Sequence, residues 1–199
     1  MDVGVLFSGG ADSALAALLL ESNADVRLVS CSFGVTDDTD HASEAATALG
    51  LPIDRVALDA DVLEDAVETA VDDGFPRNAI QSIHEHALDR VAATGDYPFV
   101  ADGTRRDDRT PTVPRSVAQR VEDRHGVGHL APLAGIGHAA VDALREELLE
   151  VETGPSEDLP TGDYEGELRA AIADEYGEER VGELFPEHVQ SRVTGRREF

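Results

Sequence analysis

The sequence predicts an α/β fold: a doubly wound, parallel five-stranded sheet with a short helical C-terminal extension. Three observations predict it. Short apolar runs alternate with stretches at helical spacing along most of the chain, and that alternation builds parallel sheets covered on both faces. The first run enters a helix through Ser8-Gly9-Gly10-Ala11-Asp12-Ser13 with no spacer. A second polar motif, Asp102-Gly103-Thr104-Arg105-Arg106-Asp107-Asp108, follows the fourth run. Both motifs therefore fall at carboxyl ends of strands, where such sheets bind ligands if the two strands meet at the point of order reversal.

The elements follow in order. Residues 2–7 read as a strand, and 12–22 as a helix with Ala14, Leu15, Leu18 and Leu19 on one face. Residues 26–33 are a second strand, and 39–49 a helix carrying Ala42, Ala45, Ala46 and Leu49. Pro52 leads into a third strand, 53–58. Residues 60–73 form a helix with a strict stripe from Val62 to Val71. Gly74-Phe75-Pro76 ends it, and a long helix over 77–94 turns Ile80, Ile83, Ala87, Leu88 and Val91 inward. The fourth strand is 97–102; a helix at 115–125 and a short fifth strand within 128–135 follow. Residues 137–150 and 163–176 read as helices, 153–163 as a loop, and 186–199 as an arginine-bearing tail. The expected division is a nucleotide-binding domain over 1–150 and a C-terminal loop, helix and tail over 151–199.

Composition bounds the function. Of 199 residues, 41% are hydrophobic, a globular composition with no run long enough to cross a bilayer. Asp2 stands where a signal peptide would carry basic residues, so the expected location is cytoplasmic, with no membrane partner. Acids number 41 against 16 basic residues, every one an arginine, for a net charge of −25. Self-repulsion on that scale is relieved by salt, and the acids are spread along the whole chain, which points to a halophilic protein rather than one shaped for a basic partner. The one cysteine, Cys31, lies in an apolar run. It excludes a disulfide framework and any cysteine-based zinc or iron–sulfur site.

The turn at residues 8–13 carries the chemistry. Gly9 and Gly10 allow positive φ and the approach of a ligand to bare backbone. Amides from Gly9 to Ser13 would then open at a helix N-terminus, whose dipole favours an anion. Ser8 and Ser13 add hydroxyls. Asp12 repels phosphate by itself and makes sense as the holder of a divalent cation that bridges to the phosphates. A tight turn with an ordinary N-cap at Ser8 or Asp12 is the simpler account, but it uses neither both glycines nor both serines. The turn is no Walker A loop, because the chain has no lysine. Gly126-Val127-Gly128 and Gly135-Ile136-Gly137 match the dinucleotide fingerprint only loosely and read as helix-boundary glycines.

Ser8-Gly9-Gly10-Ala11-Asp12-Ser13 after an N-terminal strand resembles the pyrophosphate loop of the PP-loop ATP pyrophosphatases, members of the adenine nucleotide alpha hydrolase-like superfamily. The stretch from Tyr97 to Asp108 resembles the family's second segment, and the chain as a whole resembles small archaeal PP-loop proteins. The resemblance implies ATP and Mg²⁺ as cofactors, with the pyrophosphate in the loop and adenine against the end of the second strand, at Ser32 and Phe33. It implies an AMP- and pyrophosphate-forming enzyme: a substrate oxygen attacks the α-phosphate, and an amine or sulfur nucleophile then displaces AMP. The acceptor is an unknown small molecule or tRNA. Asp102, Gly103 and Thr104 join the nucleotide site. Arg105 and Arg106 are the candidate catalytic cations beside Asp12, and Asp107 and Asp108 the candidate metal ligands beside it. Two alternatives stand: a nucleotide-binding module without turnover, and a PP-loop subunit of a tRNA-thiolating complex whose partner supplies the nucleophile. A homodimer and a partner subunit are both open.

Other polar groups carry less. Arg77, Asn78 and Gln81 begin the long helix away from its apolar stripe. His84 and His86 diverge on a helix and form no metal pair. His125 and His129 are four apart, but Gly126 and Gly128 interrupt any helix there, so no structural zinc is expected. Arg105, Arg106, Arg109 and Arg115 with Arg192, Arg196 and Arg197 could meet an RNA backbone, against the net charge.

Overall fold

The fold was determined as a computed structural model that describes residues 1–37, 39–156, 159 and 161–197. The parts of the expected loop and tail at 157, 158, 160, 198 and 199 lie outside the described residues. Side chains alternate across the first strand, β1 (Asp2–Leu6). Val3 and Val5 enter one apolar core, with Phe7 just beyond the strand, and Leu6 enters the other. The first core takes α1 (Ala11–Glu21), α2 (Thr39–Leu49) and α6 (His138–Leu148). The second takes α3 (Ala60–Asp73), α4 (Arg77–Ala93), α5 (Arg115–His125), α7 (Tyr164–Tyr176) and α8 (Glu178–Leu184). Between them lies the sheet, in the order β3-β2-β1-β4-β5, with every neighbouring pair parallel. Its other strands are β2 (Asp25–Ser32), β3 (Ile53–Ala57), β4 (Phe99–Ala101) and β5 (Gly128–Leu130). The order reverses between β1 and β4, so the chain leaves these two neighbouring strands toward opposite layers and a crevice opens above them. Gly4 of β1 faces the Tyr97 ring, where a Cβ would lie 2.7 Å from Cδ2.

The C-terminal extension differs from the expected helix and tail. Residues 149–155 and 189–196 form an antiparallel ribbon, β6 (Leu149–Pro155) with β7 (Val189–Arg196). Part of the expected loop at 153–163 is therefore strand, the helix ending at 150 stops at Leu148, and most of the expected tail is strand. The additional helix α8 was not expected either. The cause is amphipathic weakness: β6 and β7 each bury one residue, Leu149 and Val193, and are otherwise half-buried or exposed. Such a ribbon is marginal by itself and persists because it is docked. Val193 donates its amide to the carbonyl of Gly9 (2.9 Å). The tail arginines staple it: Arg192 to Glu152 (2.9 Å), Arg196 to Glu21 (2.7 Å), and Arg197 Nε to the Leu149 carbonyl (3.0 Å). They serve the fold instead of presenting a free basic patch.

Helix α7 forms because Asp163 caps it, accepting from the amides of Glu165 (3.0 Å) and Gly166 (3.3 Å). Leu168 and Ile172 then enter the same core as α3 and α4 with no exposure. Leu168→Ala is expected to lower the unfolding free energy by about 3 kcal/mol in a single transition. Urea unfolding followed at two wavelengths checks this; a separate early transition would mean that the extension folds by itself.

Candidate functional site

The strand-to-helix turn stands at the mouth of the crevice. Gly9 takes φ +85°, a conformation closed to most side chains, and lets the chain leave β1 and start α1 two residues later. The serine hydroxyls brace the turn. Ser8 Oγ accepts from the Gly10 amide (3.3 Å), and Ser13 Oγ donates to the Gly10 carbonyl (3.1 Å). Gly10 is the N-cap of α1 and supplies no side chain to close the helix end. The extension holds the turn from behind: Gly162 donates to the Ser8 carbonyl (2.7 Å), and Ser191 Oγ accepts from the Ala11 amide (3.3 Å).

Gly103 presses on the same backbone. A Cβ there would fall 2.7 Å from the Ser13 nitrogen and 2.9 Å from the Asp12 carbonyl carbon, so the position admits no side chain without movement. The preceding Asp102 is fully buried. Its Oδ1 accepts from the Thr104 amide (2.7 Å) and its Oδ2 meets His129 Nε2 (2.7 Å). Burial alone pushes this carboxyl up, yet the bonds from His129 and Thr104, with the field of His84, hold it below its ordinary value. His84 is itself kept neutral by burial, which lowers its pKa, so His129 and Thr104 carry the effect near neutral pH.

Asp12 and Arg105 come together as expected, and a third residue joins them. Asp12 Oδ2 lies 3.6 Å from Arg105 Nε, and Oδ1 lies 3.7 Å from Arg145 Nη1. Both separations exceed a hydrogen bond, and Oδ1 is a buried oxygen without a hydrogen-bond partner among the described residues. Burial raises the Asp12 pKa, and Asp108 and Asp142 add to the rise; Arg105 and Arg145 oppose it without cancelling it. An acid in this state gains from a cation at Oδ1. Arg145 was not foreseen: it sits on α6 three residues after Asp142, a spacing that reads as an ordinary helix ion pair.

The remaining acids and Arg106 take other places. Asp108 locks Arg105, accepting from its amide (2.7 Å), Nε (3.0 Å) and Nη2 (2.8 Å). Asp107 is exposed, 3.9 Å from His138. Asp12, Asp107 and Asp108 thus form no shared ligand set, and among the described residues no three His, Cys, Asp or Glu side chains converge for a metal. Of the proposed ligands only Asp12 keeps a buried oxygen without a hydrogen bond. Arg106 is exposed with its guanidinium beside Gly137, where a Cβ would stand 2.9 Å from Nη2. It is absent from the lining of the cavity that Arg105 faces.

Ser32 and Phe33 meet a carboxylate of the chain itself. Glu167 of α7 is 3% exposed and occupies the end of β2. It accepts from Ser32 Oγ (2.9 Å), the Phe33 amide (3.0 Å) and the Val35 amide (3.0 Å). The Ser32 hydroxyl and the Phe33 and Val35 amides are therefore already taken by the chain's own carboxylate. No local pattern marks Glu167, which is one of four glutamates in the first turns of α7 and α8 and is separated from Ser32 by 135 positions.

A cavity of about 610 Å³ joins these parts. Asp12, Arg105 and Arg145 line it, and so do Cys31, Ile80, His84 and Tyr164. Cys31 is buried, and burial pushes its thiol up to about 12, so it is no thiolate near neutral pH. The other expected bystanders are accounted for. Gln81 bonds with the backbone of Thr112 (2.8 and 2.9 Å), His86 meets Asp59 (3.3 Å), and His125 meets Asp89 (3.0 Å). Gly126 ends α5 in the left-handed conformation, and Gly137 caps α6.

The model of a family described as "Family of unknown function (DUF7411)" matches residues 1–195. The chain belongs to this family. It is similar to "Uncharacterized protein MJ0690" of Methanocaldococcus jannaschii, at 38% identity over 196 residues, covering 98% of this chain and 96% of that protein. It is also similar, at TM-score 0.89 and 36% identity over the full length of both chains, to a crystal structure described as a predicted subunit of tRNA methyltransferase from Methanocaldococcus jannaschii. The U34-tRNA thiolase NcsA from Methanococcus maripaludis, with its 4Fe–4S cluster, aligns at TM-score 0.46 and 20% identity over 73% of this chain and 55% of that one. The five-stranded parallel α/β architecture is thus shared along the whole chain with a solved relative.

Two substitutions test how the turn is supported. Gly103→Ala is expected to destabilise the protein by about 2 kcal/mol and to displace Asp12 and Ser13, read by thermal unfolding and by amide exchange at residues 11–13. Asp102→Asn tests the buried pair through pH. A carboxyl held below its ordinary value of 3.8 stabilises the fold above that value, and the contribution is lost as pH falls through the folded pKa. The variant is therefore expected to be less stable by about 2 kcal/mol at neutral pH, with a deficit that shrinks in acid below about pH 4.

Proposed function

We propose that this chain is an ATP-binding PP-loop subunit of a tRNA-modifying assembly. In this reading it activates an RNA oxygen by adenylation, and a partner supplies the nucleophile. The single observation that carries the nucleotide reading is the α1 N-terminus, whose N-cap Gly10 has no side chain to close it, beside Asp12 set between Arg105 and Arg145 on one cavity. Backbone amides at a helix start favour a phosphate, and two guanidiniums neutralise the charge that gathers on a departing pyrophosphate. Asp12 Oδ1 fits a divalent cation, which when bound would neutralise phosphate charge.

In the proposed reaction an acceptor oxygen attacks the α-phosphorus of ATP. The bond to the bridging oxygen breaks, and pyrophosphate leaves with the electron pair. An incoming nucleophile then displaces AMP from the activated acceptor. This chain's share is position and charge: the turn orients the β- and γ-phosphates, Arg105 is fixed by Asp108, and Arg145 is braced by Ser191 (3.3 Å). Cys31 is a protonated, buried thiol, so the nucleophile belongs to another molecule. The same holds for most RNA contact, because the net charge is −25 and the tail arginines are spent inside the chain. The RNA substrate class rests on the full-length Methanocaldococcus jannaschii relative, described as a predicted subunit of a tRNA enzyme.

ATP labelled at the α-phosphate, incubated with the protein, Mg²⁺, tRNA and molar salt, is expected to yield labelled AMP and pyrophosphate. Asp12→Ala is expected to reduce that rate by about a hundredfold or more. Formation of ADP and phosphate instead would overturn the reaction, and absence of ATP binding would overturn the nucleotide site.

A further inference from the structure

The phosphate turn explains only part of the cavity. Leu6, Cys31, Ile80, His84 and Tyr164 also line it, a largely apolar set drawn from β1, β2, α4 and α7. His84 is 6% exposed, and its Nε2 is buried with no hydrogen-bond partner among the described residues. Its ring is stationed 6.0 Å from that of Tyr164, tilted by 59°. Asp102, the nearby carboxylate, has both oxygens committed to His129 and Thr104. Helix α4 had no need of an imidazole here: Ile83, Ala87 and Leu88 on the same helix are wholly buried apolar residues. A buried polar atom without a protein partner, on a residue that lines a cavity, is a group that a ligand or a water can satisfy.

We propose that this part of the cavity seats the nucleobase and that His84 Nε2 is the atom that reads it. The proposal rests on the reading that the phosphates lie on the 8–13 turn. Three observations support it. The amides of Phe33 and Val35 at the end of β2 are held by Glu167 and are not free for a base. Cys31, Ile80 and Tyr164 supply flat and apolar surface of the kind that a heteroaromatic ring covers. The volume of about 610 Å³ suits a nucleotide, which then spans from the turn to the imidazole. A neutral imidazole offers one hydrogen bond at Nε2 without bringing a charge beside an uncharged base.

The test is equilibrium binding of ATP and of inorganic tripolyphosphate to the full chain, with Mg²⁺ at fixed salt. Wild-type protein should bind ATP more tightly than tripolyphosphate. His84→Phe keeps a ring and removes the nitrogen. It is expected to weaken ATP about tenfold and leave tripolyphosphate unchanged. His84→Leu repeats the measurement with a side chain that the site accommodates if the larger ring disturbs packing. Unchanged ATP affinity in both variants overturns the proposal and leaves His84 holding a water only. Equal losses for both ligands overturn it as well, since the damage is then general, and so does a wild-type protein that prefers tripolyphosphate. Failure of the wild-type protein to bind either ligand instead brings down the phosphate reading on which this one rests.

Discussion

A chain that turns from strand to helix within four residues must satisfy the carbonyls of that turn before its amides can face a cavity. This constraint shapes the site. The Ser8 carbonyl is taken by the amide of Gly162, the Gly9 carbonyl by that of Val193, and the Gly10 carbonyl by Ala14 and the Ser13 hydroxyl. Gly103 closes on the other side, against Ser13. Segments from three distant parts of the chain therefore clamp six residues. The β6–β7 ribbon, too polar to stand alone, supplies one of those clamps through Val193.

Charge is distributed by the same logic. The chain carries 41 acids and only arginine as its side-chain base apart from histidine. Two of these arginines converge on Asp12, one locked by Asp108 and the other held near Asp142 and Ser191. Asp12 still sits above its ordinary pKa because burial outweighs both. A half-buried acid flanked by cations beyond hydrogen-bond reach is poorly satisfied in the free protein. Such unsatisfied polarity is common where a ligand completes a site. His84 repeats the pattern on the apolar side of the same cavity.

Much of the fold was legible in the sequence. The alternation of Val3, Val5 and Leu6, the stripe on α3 and the glycines after β1 and β4 each act over a few residues, and local periodicity reports local geometry. Arg105 and Asp12 were legible for the same reason, lying in motifs at strand ends. Arg106 and Asp107 were not separable from Arg105 and Asp108 by position alone. Adjacent residues of one loop point in different directions, and only the packing against α6 decides which enters the cavity.

The sequence by itself determined the parallel sheet, the glycine-bearing strand-to-helix turn and the absence of a cysteine pair, because period, glycine placement and residue count are local properties. Tertiary structure alone decided the rest. Arg145 reaches Asp12 across 133 positions, as Arg145 and Asp12 are numbered; Glu167 covers the end of β2, and residues 189–196 become a strand. Each of these follows from a contact between segments that carry no mark of one another, formed only once the two cores have brought them to the same edge of the sheet.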